Sequence, residues 1–180
     1  MRSSFLYFAY GSNMLTRRLR AADRAPSAQV VAVAELPAHR LTFDKVSNTD
    51  GSGKCDAERS GLESDCVHGV VYQIAEHHQA ALDRVEGLGH GYQRAMVEVA
   101  TDSGRLVCRC YLATLKQTGL SPFHWYKGLV LAGAREHKLP PQYIDWLSSI
   151  ASTEDPDAVR RAQNQALLGG WPGQGNYDPQ

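Results

Sequence analysis

FLYFAYGSN, from Phe5 to Asn13, is the stretch that orients a reading of the whole chain. Its first part, Phe5 to Tyr10, is a short aromatic and apolar run, the pattern of a buried strand, and it stops at Gly11. The chain then turns through Gly11, Ser12 and Asn13 into MLTRRLR (Met14 to Arg20), a short helical pattern with Leu15 and Leu19 on one face. A strand that leaves a core through such a turn can expose backbone N–H groups at the start of the next helix, where they attract a carboxylate or an oxyanion. On local physics alone the same residues also read as an ordinary turn, with Ser12 or Asn13 capping the helix.

Outward from this unit, QVVAVAEL (Gln29 to Leu36) and RLTFDK (Arg40 to Lys45) read as strands. Periodicity stops there: Ser47 to Asp65 is rich in Gly, Ser and Asp and is predicted as a long surface loop. VHGVVYQI (Val67 to Ile74) is a strand, followed by a helix over Glu76 to Glu86 that turns Ala81, Leu82 and Val85 inward and is closed by Gly87. Gln93 to Thr101 and Arg105 to Ala113 flank Asp102-Ser103-Gly104 as a hairpin. Three late helices are predicted at Phe123 to Lys138, Gln142 to Ala151 and Asp157 to Leu168. Strands in runs joined by short turns imply an α+β fold with a mainly antiparallel or mixed sheet and helices packed outside it. One domain over 1–168 is expected, with 169–180 a Gly- and Pro-rich tail that has no core of its own.

Composition narrows the function. Lys plus Arg and Asp plus Glu both number 19 in 180 residues, so no net charge favours nucleic acid or an anionic membrane. The start lacks a long apolar core with a small-residue cleavage site, and no apolar run reaches the roughly 18 residues that span a bilayer, so a cytoplasmic protein is expected. Cys55, Cys66, Cys108 and Cys110 form no C-x-x-C pair and read as reduced thiols, the last two on one strand face with Leu106 and Leu112. A Cys55–Cys66 bridge would close the Gly-rich loop and would need an oxidising compartment. His77-His78 has no accompanying carboxylate cluster, and Gly87, Gly89 and Gly91 do not follow a strand and open a helix, so neither a metal site nor a dinucleotide fingerprint is read.

FLYFAYGSN resembles the signature of the γ-glutamylcyclotransferases. The resemblance continues in order through VHGVVY (Val67 to Tyr72), LDRVEG (Leu82 to Gly87), GYQR (Gly91 to Arg94), CRCYLAT (Cys108 to Thr114) and YKGLVLAGAREHKLPPQY (Tyr126 to Tyr143). It implies a small closed or nearly closed β-barrel flanked by helices. It also implies a cofactor-independent reaction in which the α-amine of a γ-glutamyl group attacks its own side-chain carbonyl, releasing an amine and 5-oxoproline.

By the same resemblance Glu86 moves the proton. A glutamate in the last turn of a helix faces the negative end of the dipole, which raises a carboxyl pKa and suits such a role. The resemblance lines the glutamyl pocket with Tyr7, Phe8, Ala9, Tyr10, Gly11, Ser12 and Asn13, and adds hydroxyls from Tyr92 and Tyr126. Arg94 shares a strand face with Tyr92 and is a candidate for an ion pair. The implied partner is a small γ-glutamyl substrate, with a homodimer left open. A non-catalytic module that binds small carboxylates on the same fold is the alternative, because fold alone does not establish turnover. The polar character of 47–65 leaves the leaving-group side of the site unassigned.

Overall fold

A computed structural model describes residues 3–169. β1 (Ser4–Ala9) carries the aromatic run, and a 3-10 turn at Ser12–Met14 leads to α1 (Thr16–Leu19). β2 (Gln29–Pro37), β3 (His39–Val46), β4 (Gly53–Arg59) and β5 (Cys66–Ala75) follow. A 3-10 turn at Glu76–His78 then opens α2 (Gln79–Glu86), and β6 (Tyr92–Thr101) and β7 (Gly104–Ala113) form the expected hairpin. The late helices are α3 (His124–Glu136), α4 (Pro141–Ser149) and α5 (Ala158–Ala166). The predicted tail lies outside the described residues beyond Gly169.

Five strands close into a barrel in the order β1-β5-β2-β6-β7. The pairs β1–β5, β5–β2, β2–β6 and β6–β7 are antiparallel, and a parallel pairing of Tyr7 with Arg109 joins β1 to β7. The barrel is therefore mixed but mainly antiparallel. Closure removes the sheet edges that would otherwise expose unpaired N–H and C=O groups. The interior is filled from alternate positions by Phe8, Ala34, Leu36, Val67, Val71, Val97, Val99, Cys108 and Cys110, all buried. Cys108 and Cys110 are core residues as expected, with Leu106 and Leu112 partly buried beside them.

Closeness of backbones decides where two glycines stand. At Gly69 a Cβ would lie 2.4 Å from the Ala9 carbonyl oxygen and 2.7 Å from the Phe8 ring. At Gly133 in α3 it would lie 2.6 Å from the Leu15 nitrogen. The second contact presses α3 against the turn that leaves β1, and so fixes where that turn sits.

The loop expected over 47–65 is a correction, because Gly53–Arg59 is a strand. β4 pairs antiparallel with β3 as a separate two-stranded sheet, with Leu41 opposite Ala57 and Thr42 opposite Asp56. Alternation fails to reveal it because Cys55, Asp56 and Ala57 are consecutive and all buried. Its polar residues have partners. Asp56 accepts from the Ala113 backbone N–H at 2.8 Å and pairs with Lys116 at 2.7 Å, while Lys54 pairs with Asp50 at 3.1 Å. The turn before the strand and the segment 60–65 after it remain irregular. All four cysteines are free, so Cys55 and Cys66 are not bridged.

Candidate active site

The turn after β1 lacks the side-chain cap that one of its local readings offered. Gly11 has φ −112°, outside the left-handed region, and neither Ser12 nor Asn13 caps a helix with its side chain. The Met14 N–H bonds the Gly11 carbonyl at 2.9 Å, which leaves the Ser12 and Asn13 N–H groups ahead of the first internal bond. The α1 cap comes from afar: Glu136 at the end of α3 accepts from the Thr16 N–H at 3.0 Å.

Asn13 is freed for a different task. Its Nδ2 donates to Glu86 Oε1 at 2.5 Å and to the Tyr7 hydroxyl at 3.3 Å, and its Oδ1 accepts from Arg24 at 3.2 Å. Glu86 is the last residue of α2, and Gly87 follows in the left-handed region at φ 68°, ψ 48°. The Leu88 N–H reaches back to the Asp83 carbonyl at 2.9 Å and ends the helix cleanly. A polar network ties α2 to β7: the Tyr111 hydroxyl donates to Asp83 at 2.6 Å, Gln79 donates to the same hydroxyl at 2.9 Å, and Arg109 donates to Gln79 at 2.6 Å and to Glu76 at 2.8 Å. Arg94 faces Asp83 at 3.5 Å.

These elements surround a cleft of about 310 Å³, its open mouth included, lined by Tyr7, Tyr10, the Gly11–Asn13 turn, Glu86, Tyr92 and Tyr126, with Cys55 and Tyr111 completing the wall. Of the residues expected to line it, Phe8 and Ala9 do not. Both are fully buried, and the Phe8 ring and the Ala9 carbonyl pack close to Gly69. Tyr92 is present, but its hydroxyl is engaged by the Cys55 carbonyl at 2.5 Å, and the Tyr126 hydroxyl accepts from the Cys55 N–H at 3.1 Å. The β4 strand that the sequence concealed is thus the piece that holds both tyrosines. Cys55 and Tyr111 were missed as cleft residues. Nothing in a single sequence marks a strand residue as facing a cleft rather than the core.

Burial is the first influence on Glu86 and raises its carboxyl above the ordinary glutamate value; Arg24, Arg18, the Asn13 hydrogen bond and Lys45 oppose it. The helix dipole is therefore not needed to explain an elevated carboxyl. Burial also pushes the hydroxyls of Tyr7, Tyr10, Tyr92 and Tyr126 well above the usual tyrosine value, so they stay neutral. The Cys55 thiol is pushed up to about 12, which removes it as a thiolate nucleophile. The cleft therefore holds one carboxylate, raised by burial and drawn back by Arg24, Arg18 and Lys45, among neutral hydroxyls.

Residues 66–147 match the AIG2-like family. The human gamma-glutamylcyclotransferase is 36% identical over 178 residues, covering 91% of this chain and 92% of the human protein, and the bovine gamma-glutamylcyclotransferase is 38% identical over 82% of this chain and 79% of that one. The chain belongs to the γ-glutamylcyclotransferase family. A solved structure of a gamma-glutamyl cyclotransferase superposes with a TM-score of 0.82 at 34% identity, covering 93% of this chain and all of the other. The barrel is accordingly the γ-glutamylcyclotransferase fold, and the protein is an enzyme of this type, with a small-molecule substrate. Among the described residues no helix is long and apolar enough to cross a membrane, and no group of three or more His, Cys, Asp or Glu side chains could hold a metal ion. His78 instead hydrogen-bonds Ser27 at 2.7 Å.

One expected result follows from the wall of the γ-glutamylcyclotransferase cleft. At Gly11 a Cβ would stand 3.2 Å from the Cys55 Cβ and 3.3 Å from the Tyr126 hydroxyl. Alanine there would be tight, and the extra branches of valine would push β4 or Tyr126 aside. Gly11→Val is expected to raise KM at least tenfold, the loss of about 1.4 kcal/mol of binding, in a protein that still folds. Steady-state kinetics on a folded variant with wild-type KM would contradict this. The reason is crowding by the far wall, because Gly11 does not use a positive φ.

Proposed function

We propose that this chain cyclises γ-glutamyl amides, releasing 5-oxoproline and an amine or amino acid, with Glu86 as the proton carrier. The observation that supports this most directly is the hydrogen bond from Asn13 to Glu86, which joins the YGSN turn to a carboxylate 73 residues away at the bottom of one cleft. Both halves are needed. The glutamyl part of the substrate sits against Tyr7, Tyr10 and the Gly11–Asn13 turn, folded so that its α-amine lies near its own γ-carbonyl carbon. Glu86 takes a proton from the attacking ammonium and returns one to the departing nitrogen. The new ring C–N bond forms first and gives a tetrahedral oxyanion, whose collapse breaks the C–N bond to the leaving group, so the reaction balances without oxidant or reductant. Tyr126 and the backbone N–H groups of the turn stabilise the tetrahedral oxyanion.

The leaving group departs toward Lys45 and β4. Lys45 is 6% exposed, its Nζ lying 4.7 Å from the Tyr92 ring centroid. Four free thiols suit a cytoplasmic setting. The test is incubation of the purified chain with a panel of γ-glutamyl amino acids, γ-glutamyl amines and glutathione, with 5-oxoproline measured by chromatography. Release from at least one class supports the reading and ranks the leaving groups. Saturable binding of these compounds with no 5-oxoproline from any of them would replace it with a binding module.

A further inference from the structure

The Asn13 amide is held from both sides. Its Oδ1 faces an Arg24 guanidinium nitrogen at 3.2 Å, and its Nδ2 faces Glu86 Oε1 at 2.5 Å. An amide can turn over and present its oxygen where its nitrogen was, and both orientations fill the same space. Only the orientation seen here stabilises an ionised Glu86, because a carboxylate accepts hydrogen bonds and gives none. A guanidinium has donors and no acceptor, so Arg24 can bond only the oxygen end of the amide. Arg24 itself is well anchored in the loop after α1: its N–H bonds the Ala21 carbonyl at 2.9 Å, and the next residue, Ala25, is fully buried with its N–H on the Leu19 carbonyl at 3.0 Å.

We propose that Arg24 is a positioning residue, which locks the Asn13 amide in the one orientation that donates to Glu86 and so keeps Glu86 available as a base. The inference rests on Glu86 being the proton carrier. Arg24 is also the first of the groups that draw the Glu86 carboxyl back down against burial. Other groups face the same carboxyl. Arg18 and Lys45 add positive charge and remain when Arg24 is removed. The hydroxyls of Tyr7, Tyr92, Tyr111 and Tyr126 and the Cys110 thiol also face it, and burial keeps all five neutral across the working range.

The sign follows from these roles. Losing Arg24 removes a positive charge and frees the amide to turn, and both changes favour the protonated carboxyl. In Arg24→Met the acid limb of kcat against pH is expected to move up by about 0.5–1 unit, a fraction of the 1–3 units typical of a directly adjacent charge, since Asn13 intervenes and two cations remain. KM is expected to stay within about twofold, because Arg24 does not line the cleft. Arg24→Lys, which keeps a charged donor, is expected to bring the limb most of the way back. In an Asn13→Ala background, Arg24→Met is expected to shift the limb much less than in the wild type, since the amide it acts through is gone.

An unmoved acid limb in folded Arg24→Met would overturn the proposal, as would an equal shift with and without Asn13. A rise in KM alone would also overturn it, and would make Arg24 a substrate contact. Should the methionine variant fail to fold, Arg24→Gln serves in its place. The Glu86 carboxyl can in addition be titrated directly by carbon-13 NMR, a readout independent of turnover. If Glu86→Gln retained activity, the proton-carrier reading itself would fail; an inactive Glu86→Gln with an unmoved limb in Arg24→Met would sink only the role of Arg24.

Discussion

Glu86→Gln is expected to lower kcat by about a hundredfold to ten-thousandfold, the usual worth of a positioned general acid and base. Glutamine keeps the length of the side chain and a carbonyl oxygen that can still accept from Asn13 Nδ2, so the cleft should keep its shape. It cannot take a proton from the attacking ammonium or return one to the departing nitrogen. The loss should therefore fall on kcat, with KM changed only a few-fold. Stability moves the other way, or not at all. The Glu86 carboxyl sits above its ordinary value in the folded protein, so the stability it contributes is present at acid pH and is lost as pH rises through the folded value. Ionising a carboxyl that burial has raised costs stability relative to the unfolded chain, so the neutral amide should unfold at the wild-type midpoint or above it. Two measurements decide this: steady-state kinetics, where retention of more than about a tenth of kcat would remove Glu86 from the role, and thermal denaturation of both proteins at pH 7.

Gly133→Ala is expected to destabilise the protein although helix propensity says the reverse. Alanine in an exposed helix interior is better than glycine by about 0.5–1 kcal/mol. Here the added Cβ would stand 2.6 Å from both the Leu15 nitrogen and the Met14 Cβ, and 2.7 Å from the Met14 carbonyl carbon. Two of these are backbone atoms and cannot swing away, so α3 and the turn after β1 must separate. Overpacking of this kind costs about 1–3 kcal/mol, which exceeds the propensity gain and leaves a net loss of about 1–2 kcal/mol. In a domain of this size that lowers the midpoint of thermal unfolding by roughly 2–8 °C. Activity should fall as well, because the displaced turn carries Ser12 and Asn13 and with them the contact to Glu86. A Gly133→Ala protein more stable than wild type would show that the close approach of α3 is not a constraint.

The elements with strong local signals were legible without coordinates. FLYFAY reads as a buried strand because its residues are apolar without interruption, α2 ends where Gly87 permits the left-handed turn, and the β6–β7 hairpin is announced by Asp102-Ser103-Gly104. Glu86 was legible through its motif and through its odd place at a helix end. β4 was not, since Cys55, Asp56 and Ala57 are buried on both faces and erase the alternation that marks a half-buried strand. Asp56, one of the acidic residues that made 47–65 look solvated, is matched by partners far along the chain, Lys116 and the Ala113 N–H.

The sequence by itself determined the types of groups available: the YGSN turn, a glutamate before a helix-ending glycine, tyrosines near both, and a fold of strands in runs with helices outside. Those follow from periods and turn chemistry that act over a few residues. Tertiary structure alone decided which groups meet. Barrel closure through Tyr7 and Arg109 sets β1 beside β7, the approach of α3 at Gly133 fixes the turn, and β4 brings Cys55 against Tyr92 and Tyr126. Arg24, Asn13 and Glu86 form a line only because of that assembly. Their pairing depends on the distance between backbones that are remote in sequence, and the positions where the chain must lack a side chain to let those backbones approach are set by the packing itself.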